Sequence, residues 1–213
     1  MKFIIPARAG SKGFPGKNRK LLEHTLDIIP DDRLGDVYIT TDDDYILNEC
    51  RAKFPNIKLL KRKENLALDT TSIRSVMEDT IEYFNFTEEE YISMLYLTYP
   101  QRTWQEINDA YGFLVDKGAK SLLCKGKVKS HPFLCMYVEG DSGKQIVKHN
   151  LYRRQDYPEC FELSHYICIF KVSELKKLNN NMYNERTIYH KLSGCVIDVD
   201  NEQDLERFKR SNG

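Results

Sequence analysis

The segment spanning residues 5–18 constrains the fold of this chain more than any other part of it. A short apolar run, residues 3–5, leads directly into a loop in which Gly10, Gly13 and Gly16 lie among basic side chains. Glycine lets the backbone approach an anion closely, and main-chain N–H groups and cationic side chains can converge on it. The segment predicts a strand followed by a phosphate-binding loop. The alternative is a turn whose lysines are only solvated.

Two well-known phosphate-binding loops do not fit this spacing. A Walker A loop has four residues between its glycines, whereas Gly10 and Gly16 enclose five. It also ends in Lys-Ser or Lys-Thr, whereas Lys17 is followed by Asn18. A dinucleotide-binding loop reads G-x-G-x-x-G, whereas two residues separate each glycine here from the next. The loop therefore indicates another kind of phosphate chemistry.

Alternation of short apolar runs with segments of helical spacing predicts the fold class. The runs predicted as strands are 3–5, 37–40, 57–60, 92–97 and 122–124, and the predicted helices are 45–54, 72–84 and 103–114. This order is typical of an α/β protein with a mostly parallel sheet and helices on both faces. The pattern changes after residue 134, where 134–138 and 145–147 predict a β-hairpin before a return to the sheet at 166–170.

Composition agrees with one folded domain over residues 1–213, with an insertion at about 128–165. The chain has 32 basic and 32 acidic residues, so net charge favours neither a nucleic acid nor a membrane as partner. Its six cysteines form no C-x-x-C pair and predict reduced thiols in a cytoplasmic protein. The first residues are too short an apolar stretch for a signal peptide, and no long apolar span follows.

Asp198 and Asp200 near the C-terminus alternate with Ile197 and Val199, which predicts a strand with both carboxylates on one face. Two carboxylates on one face suit Mg²⁺, which takes its other ligands from water and phosphates. The alternative is that Asp200 caps the helix predicted to begin near Glu202. We favour the metal, because burying a second carboxylate beside Asp200 is costly without a cation.

Five segments together carry a resemblance to a known family. Residues 7–18 match the pattern A-R-x-x-S-K-G-x-P-x-K-N, and 41–42 end a strand with Thr-Asp. Residues 62–69 are similar to R-x-x-E-L-A-x-D, with Asn65 as a departure, while 153–158 read R-R-Q-D-Y-P and 197–200 read I-D-V-D. The chain thus resembles the acylneuraminate cytidylyltransferases, the CMP-sialic acid synthetase family, over nearly its whole length.

The resemblance implies a Rossmann-like nucleotidyltransferase fold with a β-hairpin dimerisation insertion, and a homodimer with composite sites. It implies transfer of CMP from CTP to the anomeric hydroxyl of a nonulosonic sugar acid, with Mg²⁺ as cofactor. The implied catalytic residues are Arg8, Lys12, Lys17, Arg153 and Arg154. The implied nucleotide-binding residues are Ala7, Arg8, Ala9, Gly10, Ser11, Lys12, Gly13, Lys17, Asn18, Arg62, Thr70, Thr71, Ser72, Tyr96 and Thr98. The implied acceptor-side residues are Arg102, Arg154, Gln155, Ser164 and His165, and the implied metal ligands are Asp198 and Asp200.

Three departures from the family pattern affect specificity. Tyr96 stands where the family has a glutamine, and a hydroxyl cannot offer the donor and acceptor pair of an amide. A G-K-P-L turn before the first helix is missing, and Ser164-His165 replaces Asn-Gly. A nucleotidyltransferase of the same fold that uses another base or a sugar phosphate is therefore an alternative. A non-catalytic nucleotide-binding subunit is a second one, although such a protein has less need of two metal ligands.

Overall fold

The apolar runs of the sequence assemble into one twisted sheet. In residues 1–10, 13–194 and 196–211, which the computed structural model describes, seven strands follow the order β3-β2-β1-β4-β8-β5-β9. Their bounds are β1 Lys2–Pro6, β2 Val37–Thr41, β3 Lys58–Lys61, β4 Tyr91–Met94, β5 Ser121–Lys127, β8 Phe161–Lys171 and β9 Ile188–Lys191. Only β8 runs antiparallel to its neighbours, β4 and β5, among these paired strands. The predicted mostly parallel sheet is confirmed.

Helices cover both faces of the sheet, as predicted. Their bounds are α1 Lys17–Leu26, α2 Asp44–Lys53, α3 Ile73–Tyr83, α4 Trp104–Asp116 and α5 Glu202–Ser211. One apolar core contains buried side chains of α1, α2, α4 and α5, and the second contains those of α3. No helix within the described ranges is long and apolar enough to cross a membrane.

Local capping explains where several helices begin. The Thr103 side chain accepts a hydrogen bond from the Glu106 amide, and the Glu106 carboxylate accepts one from the Thr103 amide, so α4 opens with a capping box. Ser72 caps α3 and Asp43 caps α2 through the same kind of bond. These caps place the start of α2 and of α3 beside the carboxyl ends of β2 and β3, where ligands bind in open α/β sheets.

A two-stranded arm lies between β5 and β8. It spans residues 128–160 and contains β6 Met136–Glu139 and β7 Ser142–Gln145, with Glu139 opposite Ser142 and a two-residue loop between them. Gly140 in this loop has φ +60°, a conformation that glycine adopts without strain. The predicted hairpin is confirmed, although its second strand begins three residues earlier than expected, at Ser142 and not at Gln145.

Candidate nucleotide site

A cleft of about 280 Å³ lies at the carboxyl edge of the sheet. It is formed by the end of β1, the start of α1, the loop between β3 and α3, the first turns of α3, and the segment after β4. It is lined by Pro6, Arg8, Lys17, Asn18, Arg62, Leu66, Leu68, Asp69, Thr71, Ile73, Val76, Tyr96, Leu97 and Thr98. The cleft thus brings together seven of the predicted nucleotide-binding residues: Arg8, Lys17, Asn18, Arg62, Thr71, Tyr96 and Thr98.

A larger depression lies elsewhere. Its volume is about 510 Å³, and it is lined by residues of α3 and of the segment 176–189, such as Arg74 and Tyr183. None of the predicted site residues lines it. We therefore place the candidate site in the smaller cleft, where the predicted cationic side chains converge.

The glycine loop leads into the cleft through a left-handed residue. Gly16 has φ +70° and precedes the first residue of α1, Lys17. Among the described residues no side chain caps this helix, and although the Lys17 amide donates to the Phe14 carbonyl (3.1 Å), the next main-chain N–H groups of its first turn remain available to an anion. Gly10 and Gly13 are exposed. Two of the predicted residues of this loop, Ser11 and Lys12, lie outside the described residues.

Hydrogen bonds to neighbouring strands hold the rest of the loop. The Ala9 amide donates to Oδ1 of Asp42 (2.8 Å), and the Asn18 side chain donates to the Arg8 carbonyl (2.7 Å). Ala7 is fully buried and its carbonyl accepts a hydrogen bond from the Thr41 hydroxyl. In this structure Ala9 and Asn18 therefore fix the shape of the loop, while the Asn18 side chain also borders the cleft.

Lys17 links the loop to the C-terminal carboxylates. Its Nζ lies 3.0 Å from Oδ1 of Asp200, and 87% of its side-chain surface is covered. Asp198 and Asp200 are exposed while Val199 between them is fully buried, so the predicted alternation of exposure is present. The predicted strand is wrong, because residues 196–200 belong to no strand of the sheet. Among the described residues, the Val199 amide donates to the Thr98 carbonyl (2.8 Å) and the Asp200 amide donates to the side chain of Asp204 (3.2 Å).

The carboxylate pair fits a magnesium ion in its chemistry. Asp198 and Asp200 offer hard oxygen donors, and Asp200 contacts Lys17, a cleft residue that can hold phosphate. The alternative role of Asp200 as a helix cap is not seen, since the Asp204 amide donates to the side chain of Asn201 (3.0 Å). No third acidic, histidine or cysteine side chain joins the pair in the described parts of the chain. The remaining ligands would come from phosphate and water.

Arg62 places a buried positive charge on the opposite wall. The residue is 6% exposed, its guanidinium donates to the Thr40 carbonyl (2.9 Å), and Nε has no hydrogen-bond partner among the described residues. Burial lowers the pKa of Arg62 to about 10, and the nearby Asp42 carboxylate opposes this shift. The group remains charged at neutral pH and faces the cleft. A triphosphate bound there would neutralise this charge.

The loop after β3 completes the cleft. Arg8 forms an ion pair with Asp69, which also lines the cleft. The Thr71 hydroxyl donates to the Asn65 carbonyl (3.0 Å), and Thr70 is exposed. Neither Asp69 nor the apolar lining, Leu66, Leu68, Ile73 and Val76, was assigned to the site from sequence. The helical spacing of Ile73 and Val76 in α3 was the available signal for part of that lining.

The segment after β4 contacts the start of β8. The contacting residues, Tyr96 and Ser164-His165, are two of the departures from the family pattern. The rings of Tyr96 and His165 lie edge to face with centroids 5.8 Å apart. Ser164 interacts with Tyr99, whose pKa is raised by burial and by the nearby Asp198 carboxylate. Burial also raises the pKa of Tyr96, so its hydroxyl stays protonated. The Tyr96 substitution and the Ser164-His165 substitution thus form one contact region beside the cleft.

Arg102, predicted on the acceptor side, is buried and does not line the cleft. It is 1% exposed, and its Nη2 donates to the Tyr96 carbonyl from inside the core (2.6 Å). The arginines of the arm also lie outside the cleft lining. Arg153 forms a bidentate ion pair with Asp156 (2.8 and 2.9 Å), and Arg154 and Gln155 are exposed.

Comparison with known proteins agrees with this geometry. A family model described as cytidylyltransferase matches residues 2–122, more than half of the chain. An N-acylneuraminate cytidylyltransferase of Streptococcus agalactiae is 25% identical over 214 residues, covering 95% of this chain and 51% of that protein. The chain thus spans about half the length of that relative. A CMP-N,N'-diacetyllegionaminic acid synthase of Legionella pneumophila is 28% identical, covering 84% of this chain and 75% of that protein.

Solved structures share the fold. The chain matches a CMP:2-keto-3-deoxy-manno-octonic acid synthetase complexed with CTP with a TM-score of 0.66 at 15% identity, covering 99% of this chain and 97% of that one. It matches a 4-diphosphocytidyl-2C-methyl-D-erythritol synthase with a TM-score of 0.67 at 13% identity, covering 100% and 98%. At these identities the likeness concerns the fold alone. Since the family model covers more than half of its residues, the chain belongs to the cytidylyltransferase family of nucleotidyltransferases.

Proposed function

We propose that this protein transfers CMP from CTP to the anomeric hydroxyl of a nonulosonic sugar acid and releases pyrophosphate. The observation that carries the proposal is the contact of Lys17 with Asp200 at the mouth of a cleft lined by Arg8 and Arg62. Cations that bind a triphosphate and carboxylates that suit a metal are thereby placed side by side. The sugar-acid acceptor is supported by the names of two relatives, the S. agalactiae and L. pneumophila proteins.

In this reaction the acceptor oxygen bonds to the α-phosphorus of CTP, and the bond from that phosphorus to the bridging oxygen of pyrophosphate breaks. Lys17, Arg8 and the first turn of α1 hold the phosphate oxygens and oppose their growing charge. Asp198 and Asp200 would hold Mg²⁺, which supplies further positive charge at the phosphates when bound. The proton of the acceptor hydroxyl passes to water, and we assign no general base.

The arm supports a homodimer as the working assembly. It exposes a set of large apolar side chains: Leu134, Met136, Tyr137, Val138, Ile146, Val147, Leu151 and Tyr152. Exposed apolar side chains that are concentrated in one part of a protein favour contact with another protein surface. In the proposed dimer these apolar groups of the arm pack against a second copy of the chain. This packing brings Arg153 or Arg154 towards the neighbouring cleft, where either can bind the acceptor carboxylate.

We also propose a cytoplasmic location, which rests on the cysteines. Cys50, Cys124 and Cys168 are buried free thiols, and burial raises the pKa of Cys50 to about 11 and that of Cys124 to about 12. Such thiols are packed and unreactive, and free cysteines are typical of a reducing compartment.

Tyr96 favours a second candidate function, transfer from a triphosphate with a different base. Its side chain lines the cleft where the resembled family has a glutamine. A single hydroxyl distinguishes cytosine from other bases less well than an amide does, because an amide can donate and accept hydrogen bonds through two separate atoms. The reaction and the carboxylate pair would be the same in both candidates.

One experiment separates these functions. The protein is incubated with Mg²⁺, one of CTP, UTP, GTP or ATP, and either N-acetylneuraminic or N,N'-diacetyllegionaminic acid, and products are identified by mass spectrometry. A CMP conjugate is the expected result. A conjugate from another triphosphate would establish the second candidate, and no conjugate from any combination would contradict transfer to these sugar acids. Asp200→Asn serves as the inactive control.

A further inference from the structure

Arg102 is a buried cation that forms no ion pair with an acidic side chain of the described residues. It is 1% exposed, and Nη2 donates to the Tyr96 carbonyl at 2.6 Å. Its Nε and Nη1 have no hydrogen-bond partner in the part of the chain that the structure describes. Burying a guanidinium that is only partly hydrogen-bonded costs stability. Such a residue therefore calls for an explanation other than stability.

The surroundings of Arg102 offset this cost only in part. The guanidinium carbon lies 5.7 Å from the ring centre of Tyr166 and 6.0 Å from that of Tyr99, both within range of a cation–π contact. The nearest acidic group on α4, Glu106, accepts hydrogen bonds from the Tyr166 hydroxyl (2.7 Å) and from Thr103 (2.9 Å). Burial lowers the pKa of Arg102 to about 10, so it still carries its charge at neutral pH.

The one strong bond of Arg102 reaches the wall of the cleft. Tyr96 and the two residues after it, Leu97 and Thr98, all line the cleft. The Thr98 carbonyl accepts the main-chain bond from Val199 that holds the segment carrying both predicted metal ligands. Segment 96–98 therefore connects the nucleotide wall to the carboxylate pair. Arg102 holds this segment from beneath, since it satisfies a carbonyl that points into the core.

We propose that Arg102 is a positioning residue for the nucleotide cleft. It fixes the course of the backbone in segment 96–98 and does not add to the stability of the fold. The proposal rests on the proposed function, because it takes the cleft to be the CTP site. It predicts that activity and stability respond to Arg102 in opposite ways. A residue that only supports the core would lose both together.

The test compares Arg102→Met with the wild type in thermal unfolding and in calorimetric binding of CTP without acceptor. Met has similar length and no polar group, so Tm stays equal or rises, while the dissociation constant for CTP increases at least fivefold. Arg102→Lys restores a donor that can reach the Tyr96 carbonyl and recovers part of this affinity. Tyr166→Phe removes the bond to Glu106 in the same core and is the control: its Tm falls and its CTP affinity is unchanged.

Several results would overturn the proposal. Arg102→Met with CTP affinity within twofold of the wild type would remove any positioning role. A lower Tm with equal loss of affinity in the Met and Lys variants would assign a purely structural role. If Arg102→Met fails to fold, the Arg102→Lys variant decides. A lower Tm together with weakened CTP binding in that variant would also assign a purely structural role to Arg102. Wild-type protein that binds no CTP would instead contradict the proposed function.

Discussion

Lys17 and Asp200 form an ion pair at 3.0 Å although 183 positions separate them in sequence. The pair joins the start of α1 to the segment before α5, so the first and the last of the segments that carry the family resemblance meet at one point. In a site without nucleotide, the lysine is held by the carboxylate. A triphosphate would compete for the same ammonium and leave Asp200 open to a cation.

Asp200→Asn should abolish transfer and leave the fold intact. The carboxylate is 71% exposed, and its described contact is Lys17, so Tm should change little, while the loss of the negative charge should weaken the proposed binding of Mg²⁺. Steady-state pyrophosphate release at saturating Mg²⁺ measures the effect. Glu202→Gln, an acid-to-amide change on an exposed residue that begins α5, is the matched control. Wild-type rates in Asp200→Asn would remove the metal assignment.

Lys17→Ala should weaken CTP binding by roughly 1.5 to 3 kcal/mol, the range for a hydrogen bond to a charged group. The Lys17 side chain lines the cleft and most of its surface is covered. Water that enters the space left in the alanine variant would therefore be a poor substitute for the ammonium group. Isothermal titration with CTP gives the difference. Lys20→Ala, one turn further along α1 and facing Glu202 at 3.9 Å, should keep wild-type affinity. Equal affinity in Lys17→Ala would mean that the loop serves another ligand.

Local signals were sufficient for much of this site. Glycine spacing places the loop, and Ser72 and Thr103 cap the helices that follow, because capping depends on residues three positions apart. Burial of Arg102 could not be predicted, since arginine is almost never fully buried without a partner. The strand predicted at 197–200 was wrong because alternation reports which side chains face solvent, whereas a strand also needs a neighbour with free main-chain groups.

Asp43 should make the fold sensitive to acid. Burial alone would raise the pKa of Asp43, but hydrogen bonds from Arg19 (2.7 and 2.9 Å) and from the Tyr45 amide outweigh it and lower the pKa. A carboxylate with a lowered folded-state pKa stabilises the protein above its unfolded pKa, about 3.9. The contribution is lost as the pH falls through the folded-state value.

Asp43→Asn keeps a capping side chain and removes the charge. At pH 7 it should lower stability by about 1 kcal/mol, or roughly 2–4 °C in Tm for a chain of this size. The gap to the wild type should close as the pH falls below 4, measured by thermal unfolding from pH 3 to 7. Asn48→Ala, at an exposed and uncharged position of the same helix, should show no such trend. A gap that is constant across this range would contradict the assignment.

Val138→Glu should dissociate the proposed dimer without unfolding the subunit. Val138 lies on β6 and is 67% exposed in the single chain, so a carboxylate there costs little until a second copy covers it. Size-exclusion chromatography with light scattering reports the mass. Val115→Glu, at a 51% exposed position of α4, should remain a dimer. A monomeric wild type, or a dimeric Val138→Glu variant, would show that the arm does not hold two subunits together.

Tyr96→Gln should sharpen the preference for CTP over UTP. The Tyr96 hydroxyl has no hydrogen-bond partner among the described residues, and burial raises its pKa, so it remains a donor in the cleft. Cytosine and uracil differ in which edge atoms donate and accept, and an amide offers both functions. The ratio of kcat/KM values for the two triphosphates is the measurement, with Tyr96→Phe separating the hydroxyl from the ring. If all three proteins give the same ratio, Tyr96 does not read the base, and its contact with the His165 ring then favours a role on the acceptor side.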